Sequence, residues 1–183
     1  RLRDWGFMEE EILILRSTAC QEDIKLILQA GATATVGSYD AALALNGIAE
    51  SQGVVCDVHI KVDTGMGRYG FMPTEIDRIL SIYRYLGNLN VTGTYTHYAN
   101  AFRSKKKTQA QYETFLSVVE KIRTAGYEPG MLHASNVVIS GDILAINAVG
   151  AYDIPKDNLK FSGNITLRKN EGLLMRLAPT PIR

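Results

Sequence analysis

Short apolar runs alternate along this chain with longer stretches in which apolar residues recur every three or four positions. The short runs predict β-strands, and the longer stretches predict amphipathic helices. The predicted strands cover residues 11–16, 32–36, 54–62, 90–96, 131–134 and 143–149. The predicted helices cover residues 17–30, 39–51, 73–85 and 108–125. Because strand and helix alternate, the pattern indicates an α/β fold with a parallel sheet covered by helices.

Several residues favour particular helix ends. Ser17 or Thr18 is expected to cap the first helix, and Gly31 to end it. Pro73 and Thr74 are expected to open the third helix. The last helix is expected to carry an apolar face made by Tyr112, Phe115, Val118, Val119 and Ile122.

The strand predicted at residues 54–62 has one polar and one apolar face, because alternate residues of a strand share a face. The polar face carries Asp57, His59, Lys61 and Asp63, and the apolar face carries Val58, Ile60 and Val62. A strand half exposed to solvent shows the same alternation. Taken alone, the pattern therefore favours that simpler interpretation.

The loop after this strand favours a functional role. Gly65, Gly67 and Gly70 let the backbone turn tightly and approach a ligand closely. Arg68 lies among them and carries a planar guanidinium group that suits a carboxylate or a phosphate. We therefore expect a binding site where the strand ends.

The composition is that of a globular domain without a strong charge. The chain has 183 residues, of which 46% are hydrophobic and 21% charged, and its formal net charge is +1. No overall field would draw it to nucleic acid or to a membrane, and no apolar run has the length of a membrane span. The one basic cluster, at residues 105–107, is expected in a solvated loop before the last helix.

The cysteine content points to a reducing compartment. Cys20 and Cys56 fall at a predicted helix start and in a predicted strand. They show neither the spacing of metal ligands nor a disulfide framework. We therefore expect a cytoplasmic protein without a metal site.

Three segments resemble one enzyme family. The segment HIKVDTGMGRYGF at residues 59–71 resembles the signature of alanine racemases, which use pyridoxal phosphate and are built on a (β/α)8 barrel. The segments GTYTHYA at 93–99 and HASN at 133–136 are similar to two further family segments and follow in the family's order. The resemblance covers residues 11–149.

The resemblance implies a (β/α)8 TIM-type barrel that is incomplete at the amino-terminal end. Six strands are predicted where a closed barrel has eight. Residues 1–152 are then part of the pyridoxal-phosphate-binding barrel. Residues 153–183 are expected to hold a turn-rich connector at 153–158 and the start of a C-terminal β-domain, with a strand at 161–167.

The resemblance also implies the chemistry. Racemisation removes a weakly acidic α-proton from one face of an amino acid and returns a proton to the other face. Pyridoxal phosphate supplies the necessary electron sink as an imine with the substrate. In the family, a lysine after the first barrel strand holds the cofactor, and a tyrosine from the partner subunit acts on the other face. Neither has a match in this sequence, so the 183-residue chain alone is expected not to racemise alanine.

Four supporting residues carry over from the resemblance. Arg68 matches the arginine that orients the substrate carboxylate. Lys61 matches a lysine that is carbamylated in many members and then holds that arginine in place; Asp63 is an alternative source of negative charge. His97 and Asn136 match residues of the cofactor site.

The sequence departs from the family pattern at two positions. Val137 stands where the family usually has a serine that contacts the cofactor phosphate, and valine cannot form that hydrogen bond. Gly150 follows Val149 where the family has the arginine that contacts the pyridine nitrogen.

Three functions remain in view. The first is an alanine racemase, a homodimer that takes a small amino acid and supplies D-alanine for cell-wall peptidoglycan. The second is a racemase for serine or another small amino acid. The third is a non-catalytic barrel relative that acts as a binding module.

Overall fold

A computed structural model describes residues 2–99, 101, 104–135, 150–153 and 158–161. Its strands are β1 (Leu13–Ile14), β2 (Thr33–Val36), β3 (Cys56–Lys61), β4 (Leu89–His97), β5 (Met131–Ser135), β6 (Gly150–Asp153) and β7 (Asn158–Phe161). Its helices are α1 (Gln21–Gln29), α2 (Tyr39–Ser51), α3 (Ile76–Tyr85) and α4 (Lys105–Thr124), preceded by a short 3-10 helix at Arg3–Trp5.

The strands form one sheet in sequence order. Each of β1 to β4 pairs in parallel with the next strand, and a helix lies between successive strands. This arrangement confirms the predicted α/β class and the partial barrel. β6 and β7 continue the sheet in antiparallel pairs. The strand predicted at 143–149 lies outside the described residues.

The connector predicted at 153–158 is wrong at both ends. Asp153 ends β6 and Asn158 begins β7, and the two residues face each other in the antiparallel register. Only Phe161 of the strand predicted at 161–167 lies in the described strand β7. The connector was predicted because Asp153 and Asn158 are residue types that favour turns. Their antiparallel pairing depends on contacts between strands, which the sequence pattern does not reveal.

The core lies between one face of the sheet and the helices. Side chains from every α-helix take part, and each of the following is fully buried: Ile24, Ala42, Ile79 and Ile122. The apolar face of β3 packs into the same cluster through Val58 and Ile60. Val62, the residue after the strand, does the same. The opposite face also buries His59, Lys61 and Asp63. The half-exposed interpretation of this strand is therefore wrong.

The predicted starts of α1 and α3 need correction. α1 begins at Gln21 and its N-cap is Cys20, because the hydroxyls proposed as caps bind elsewhere. Ser17 Oγ accepts a hydrogen bond from the Gly37 amide, and Thr18 Oγ1 donates to Asp23. α3 begins after Glu75, whose carboxylate accepts from the Met72 amide and closes a turn where Pro73 and Thr74 lie.

The prediction that the basic cluster at residues 105–107 lies in a loop is also wrong. Ser104 is the N-cap of α4 and accepts from the Lys107 amide at 3.3 Å, so residues 105–107 form the first helical turn. On the buried face of this helix, Gln111 takes the place predicted for Tyr112, which is only half-buried. Within the described part of the chain, no helix combines the length and the apolar character needed to cross a membrane.

Candidate functional site

The site begins at a carboxylate that shapes the glycine-rich loop. Asp63 Oδ1 accepts hydrogen bonds from the amides of Gly65, Met66 and Gly67 at 2.9, 2.7 and 3.1 Å, and Oδ2 accepts from the Arg68 amide at 3.1 Å. Burial alone would raise the pKa of Asp63, but these four donors outweigh it and hold the pKa below its ordinary value. The loop is thus fixed by an ionised aspartate.

Lys61 lies beneath this loop and is only 1% exposed. Its Nζ donates to the Tyr69 carbonyl and lies 4.4 Å from the centroid of the Tyr69 ring. Burial lowers the pKa of this amine; Asp63 raises it and the charge of Arg68 lowers it further. The amine is therefore easier to deprotonate than an exposed lysine, which is the condition for reaction with an electrophile.

Arg68 presents its side chain at the surface of the loop. Its guanidinium carbon lies 5.4 Å from the centroid of the Tyr69 ring. Arg68 itself is exposed. The guanidinium can thus meet an incoming carboxylate while its backbone is fixed by Asp63.

His97 ends β4, on the edge of the sheet where β3 also ends. Burial lowers the pKa of His97, and the charges of Arg68 and Lys61 lower it further. The imidazole is therefore neutral near pH 7. The charges of Arg68 and Lys61 thus act on His97, while Asn136 lies outside the described residues.

Sequence reasoning missed a buried imidazole pair on the polar face of the sheet. His59 Nδ1 and His133 Nε2 are 2.9 Å apart and share a hydrogen bond. The Tyr95 ring stacks on His133 with centroids 4.7 Å apart, and its hydroxyl lies 3.1 Å from Thr35 Oγ1. The sequence indicates His59 only as a member of a polar face and His133 only as part of a motif. No local signal pairs residues 74 positions apart.

A glutamine on α4 was also missed. Gln111 Oε1 accepts from the Ala99 amide at 3.1 Å, and its Nε2 donates to Thr64 Oγ1 at 3.4 Å. Thr64 Oγ1 in turn lies 2.8 Å from Thr96 Oγ1. Gln111 therefore links the start of the glycine-rich loop to the end of β4. A polar residue within an apolar helix face was the one available signal.

The imidazole pair gives a pH prediction. Burial, followed by the nearby His59, lowers the pKa of His133 to about 4 from its ordinary value of 6.5. The unfolded chain then binds more protons below pH 6.5, so stability should fall as pH falls through this range. We expect a loss of about 2 kcal/mol between about pH 7 and about pH 5. Urea unfolding measures it, and a His133→Gln variant should show a shallower slope; an equal slope would contradict the assignment.

The fold and the site together define a class of protein. In barrel enzymes, the functional groups stand where parallel strands end and in the loops that follow them. Here an arginine, a buried lysine and a neutral histidine occupy such positions. The chain also matches the family described as alanine racemase, N-terminal domain, over residues 1–153, and it belongs to that family.

Individual relatives agree with this assignment. The chain is 39% identical over 119 residues to an alanine racemase of Methanococcus maripaludis, covering 63% of this chain and 32% of the relative. It is 31% identical over 180 residues to one of Carboxydothermus hydrogenoformans, covering 98% and 47%. The chain thus spans about a third to a half of the length of these curated relatives.

Solved structures show the same relationship. The chain superposes on alanine racemase of Clostridium difficile 630 with a TM-score of 0.68 and 31% identity, covering 73% of this chain and 37% of that one. It is also similar to alanine racemase of Bacillus anthracis with bound L-Ala-P, with a TM-score of 0.65, 26% identity and coverage of 74% and 35%. These matches confirm the partial-barrel prediction.

Proposed function

We propose that the whole protein interconverts L-alanine and D-alanine. The single observation that carries this proposal is the glycine-rich loop, in which Asp63 fixes the backbone of Arg68 above the buried Lys61. The family membership supplies the reaction, because its curated relatives carry the name alanine racemase.

Arg68 is proposed to bind the substrate carboxylate. Its guanidinium is exposed at the strand-end side of the sheet, and a planar fork of donors matches a carboxylate in two hydrogen bonds. The similar structure from Bacillus anthracis holds L-Ala-P, a ligand whose name marks it as an alanine derivative. A small amino acid is therefore the proposed substrate of this site.

Pyridoxal phosphate is the proposed cofactor. His97 fits a place beside its ring, since this half-buried, neutral imidazole can contact an aromatic ring without adding charge. Lys61 does not fit the role of attachment, because its amine is bound to the Tyr69 carbonyl. Asn136 is proposed as a second cofactor contact. When bound, the cofactor would withdraw electrons from the substrate α-carbon and so make its proton removable.

Lys61 is proposed to react with carbon dioxide and to support Arg68. A carbamate would place a negative charge near the guanidinium, whereas the unmodified ammonium repels it. Asp63 cannot serve equally well, because its two oxygens already accept four backbone hydrogen bonds.

The remaining assignments follow from the family. We propose a cytoplasmic homodimer whose D-alanine is used for peptidoglycan. We also propose that residues 1–152 belong to the cofactor-binding barrel and that the C-terminal β-domain begins within residues 153–183, after the β6–β7 hairpin that continues the barrel sheet. Equilibrium sedimentation of the whole protein tests the dimer directly.

The function is tested by substituting Arg68 and Lys61 in the whole protein. Arg68→Lys keeps the charge but loses the planar fork, so the KM for alanine should rise by about tenfold, equivalent to about 1.4 kcal/mol of binding. Lys61→Ala should also weaken binding of alanine. Circular dichroism of L-alanine incubated with each variant and pyridoxal phosphate measures the rate of racemisation. The dependence of that rate on alanine concentration gives the KM of each variant.

Two controls sharpen this test. Arg78→Lys changes an exposed arginine in α3 whose guanidinium pairs with Glu75 and should leave the KM unchanged. Serine in place of alanine tests the substrate. Faster racemisation of serine would replace the alanine assignment, and neither racemisation nor a change in cofactor absorbance would favour a non-catalytic binding module. Unchanged substrate affinity in Lys61→Ala would contradict the role of Lys61.

A further inference from the structure

Tyr69 is the side chain that contacts both cations of the site. Its ring centroid lies 4.4 Å from Lys61 Nζ and 5.4 Å from the Arg68 guanidinium carbon. Its backbone carbonyl also accepts the hydrogen bond from Lys61 Nζ. The electron-rich face of an aromatic ring attracts cations and repels anions. Tyr69 therefore favours the charged ammonium form of Lys61 by two separate contacts.

The position of the Tyr69 ring is fixed from outside the loop. The Tyr69 hydroxyl donates to the Leu15 carbonyl at 2.5 Å, and the hydroxyl of Tyr95 donates to the same oxygen at 3.2 Å. Gly37 lies against the ring, since a Cβ added at Gly37 would lie 3.2 Å from Tyr69 Cδ2. The Tyr69 side chain thus contacts the residues that directly follow β1 and β2.

We propose that Tyr69 is a positioning residue that favours the ammonium form of Lys61 and thereby limits how much of Lys61 reacts with carbon dioxide. The proposal deepens the proposed function and rests on it for the role of the carbamate. While Lys61 carries no carbamate, the electron-rich ring of Tyr69 lies near both cations and reduces the repulsion between Lys61 and Arg68. Arg68 then stays in place before the modification occurs.

The chemistry of the modification sets the direction of the effect. The neutral amine of Lys61 attacks the carbon of carbon dioxide and an N–C bond forms, while one C=O π bond breaks and its electron pair moves to the oxygen; the nitrogen then releases a proton to solvent. The product is an anion, and forming it requires the amine to lose a proton first. A contact that stabilises the ammonium form opposes both requirements.

The test compares three substitutions at one position. Tyr69→Phe retains the ring and the backbone carbonyl and loses only the bond to Leu15. Tyr69→Leu loses the ring. Replacement of Tyr69 by pentafluorophenylalanine keeps the ring shape and reverses its charge distribution. This variant removes the electron-rich face and can be measured even if the leucine variant does not fold. Tyr85→Leu is the matched control, because Tyr85 is 70% exposed at the end of α3.

The readout is the carbamate-to-amine ratio of Lys61, measured by NMR with isotope-labelled carbon dioxide at constant pH. A Lys61→Gln variant identifies the Lys61 signal by its loss. We expect the ratio to rise by about fivefold in Tyr69→Leu and in the pentafluorophenylalanine variant, and to stay near the wild-type value in Tyr69→Phe and Tyr85→Leu. A merely structural role would instead affect thermal stability without this ordering.

Other outcomes overturn the proposal. An unchanged or smaller ratio in the variants that lose the electron-rich ring would show that the ring does not hold the ammonium form. An equal rise in Tyr69→Phe would assign the effect to the Leu15 bond rather than to the ring. The measurement needs neither racemisation nor cofactor, so failure of the proposed function would be seen separately.

Discussion

Replacing Gly93 with alanine is expected to destabilise the protein by about 3 kcal/mol, because the added methyl group collides with a buried side chain. Gly93 faces His59 across the β3–β4 pair. A Cβ at Gly93 would lie 2.6 Å from His59 Nε2 and 2.7 Å from two ring carbons. The His59 ring cannot move away without losing its hydrogen bond to His133. Urea unfolding followed by circular dichroism measures the change.

Two further variants test the cause of this loss. Gly47→Ala adds the same methyl group within α2, where the added Cβ would meet no heavy atom within 4 Å apart from its chain neighbours and the backbone of the helix itself, and should stabilise the protein by about 1 kcal/mol. Combining Gly93→Ala with His59→Ala removes the ring that the methyl group meets. The combined loss should then be smaller than the sum of the single losses. Additive losses would show that this contact is not the cause.

The Gly93 contact also shows what the sequence could not predict about the site. The polar alternation of β3 correctly placed His59, Lys61 and Asp63 on one face. It did not show that this face is buried, because burial depends on which strands pair and in which register. The register places His59 opposite Gly93, and Gly93 in turn pairs with Met131 of β5. Such long-range pairings leave no trace in local periodicity.

The helix boundaries also differ in how well the local sequence predicts them. The boundaries predicted for α2 agree with the structure, since Ser38 caps it through the Ala41 amide and the alanine- and leucine-rich stretch is uninterrupted. α4 begins three residues earlier than predicted. Three lysines at a helix N-terminus oppose the helix dipole and so favour a loop. The Ser104 cap outweighed that local preference.

The conformation of the loop was predicted in part. The family resemblance predicts roles for Arg68 and Lys61, and it leaves Asp63 only as an alternative source of negative charge beside them. In the structure, this carboxylate binds backbone amides instead. Glycines make such a turn possible, since Gly65 and Gly67 have φ values of +131° and +69°. The glycine spacing indicated a tight loop. Only the atomic positions show that the Asp63 carboxylate holds this loop in place.

Replacing Asp63 with asparagine is therefore expected to cost about 3 kcal/mol and to loosen the loop that carries Arg68. The substitution keeps the shape of the side chain but removes the charge that strengthens four hydrogen bonds. One amide group can accept through its oxygen only, so part of the loop loses its acceptor. Urea unfolding gives the stability, and amide hydrogen exchange at Gly65 to Arg68 reports the loop.

The pH dependence separates the charge from the shape. Since the folded pKa of Asp63 lies below its ordinary value of 3.8, its contribution is fully present above that value and is lost as pH falls through the folded pKa. The cost of Asp63→Asn should thus be constant at higher pH and shrink below about pH 4. This window lies on the acid side of the one expected for the imidazole pair.

Asp57→Asn is the matched control on the same face of β3. Asp57 is exposed, and its carboxylate accepts from the side chain of Asn90 at 2.7 Å rather than from a row of backbone amides. Its substitution should change stability by less than about 0.5 kcal/mol. Equal effects at both positions, or unchanged hydrogen exchange in the Asp63→Asn loop, would contradict the role of Asp63. Under the proposed function, a loosened loop with Arg68 still present should also raise the KM of the whole protein for alanine, because the guanidinium would no longer be held in one position.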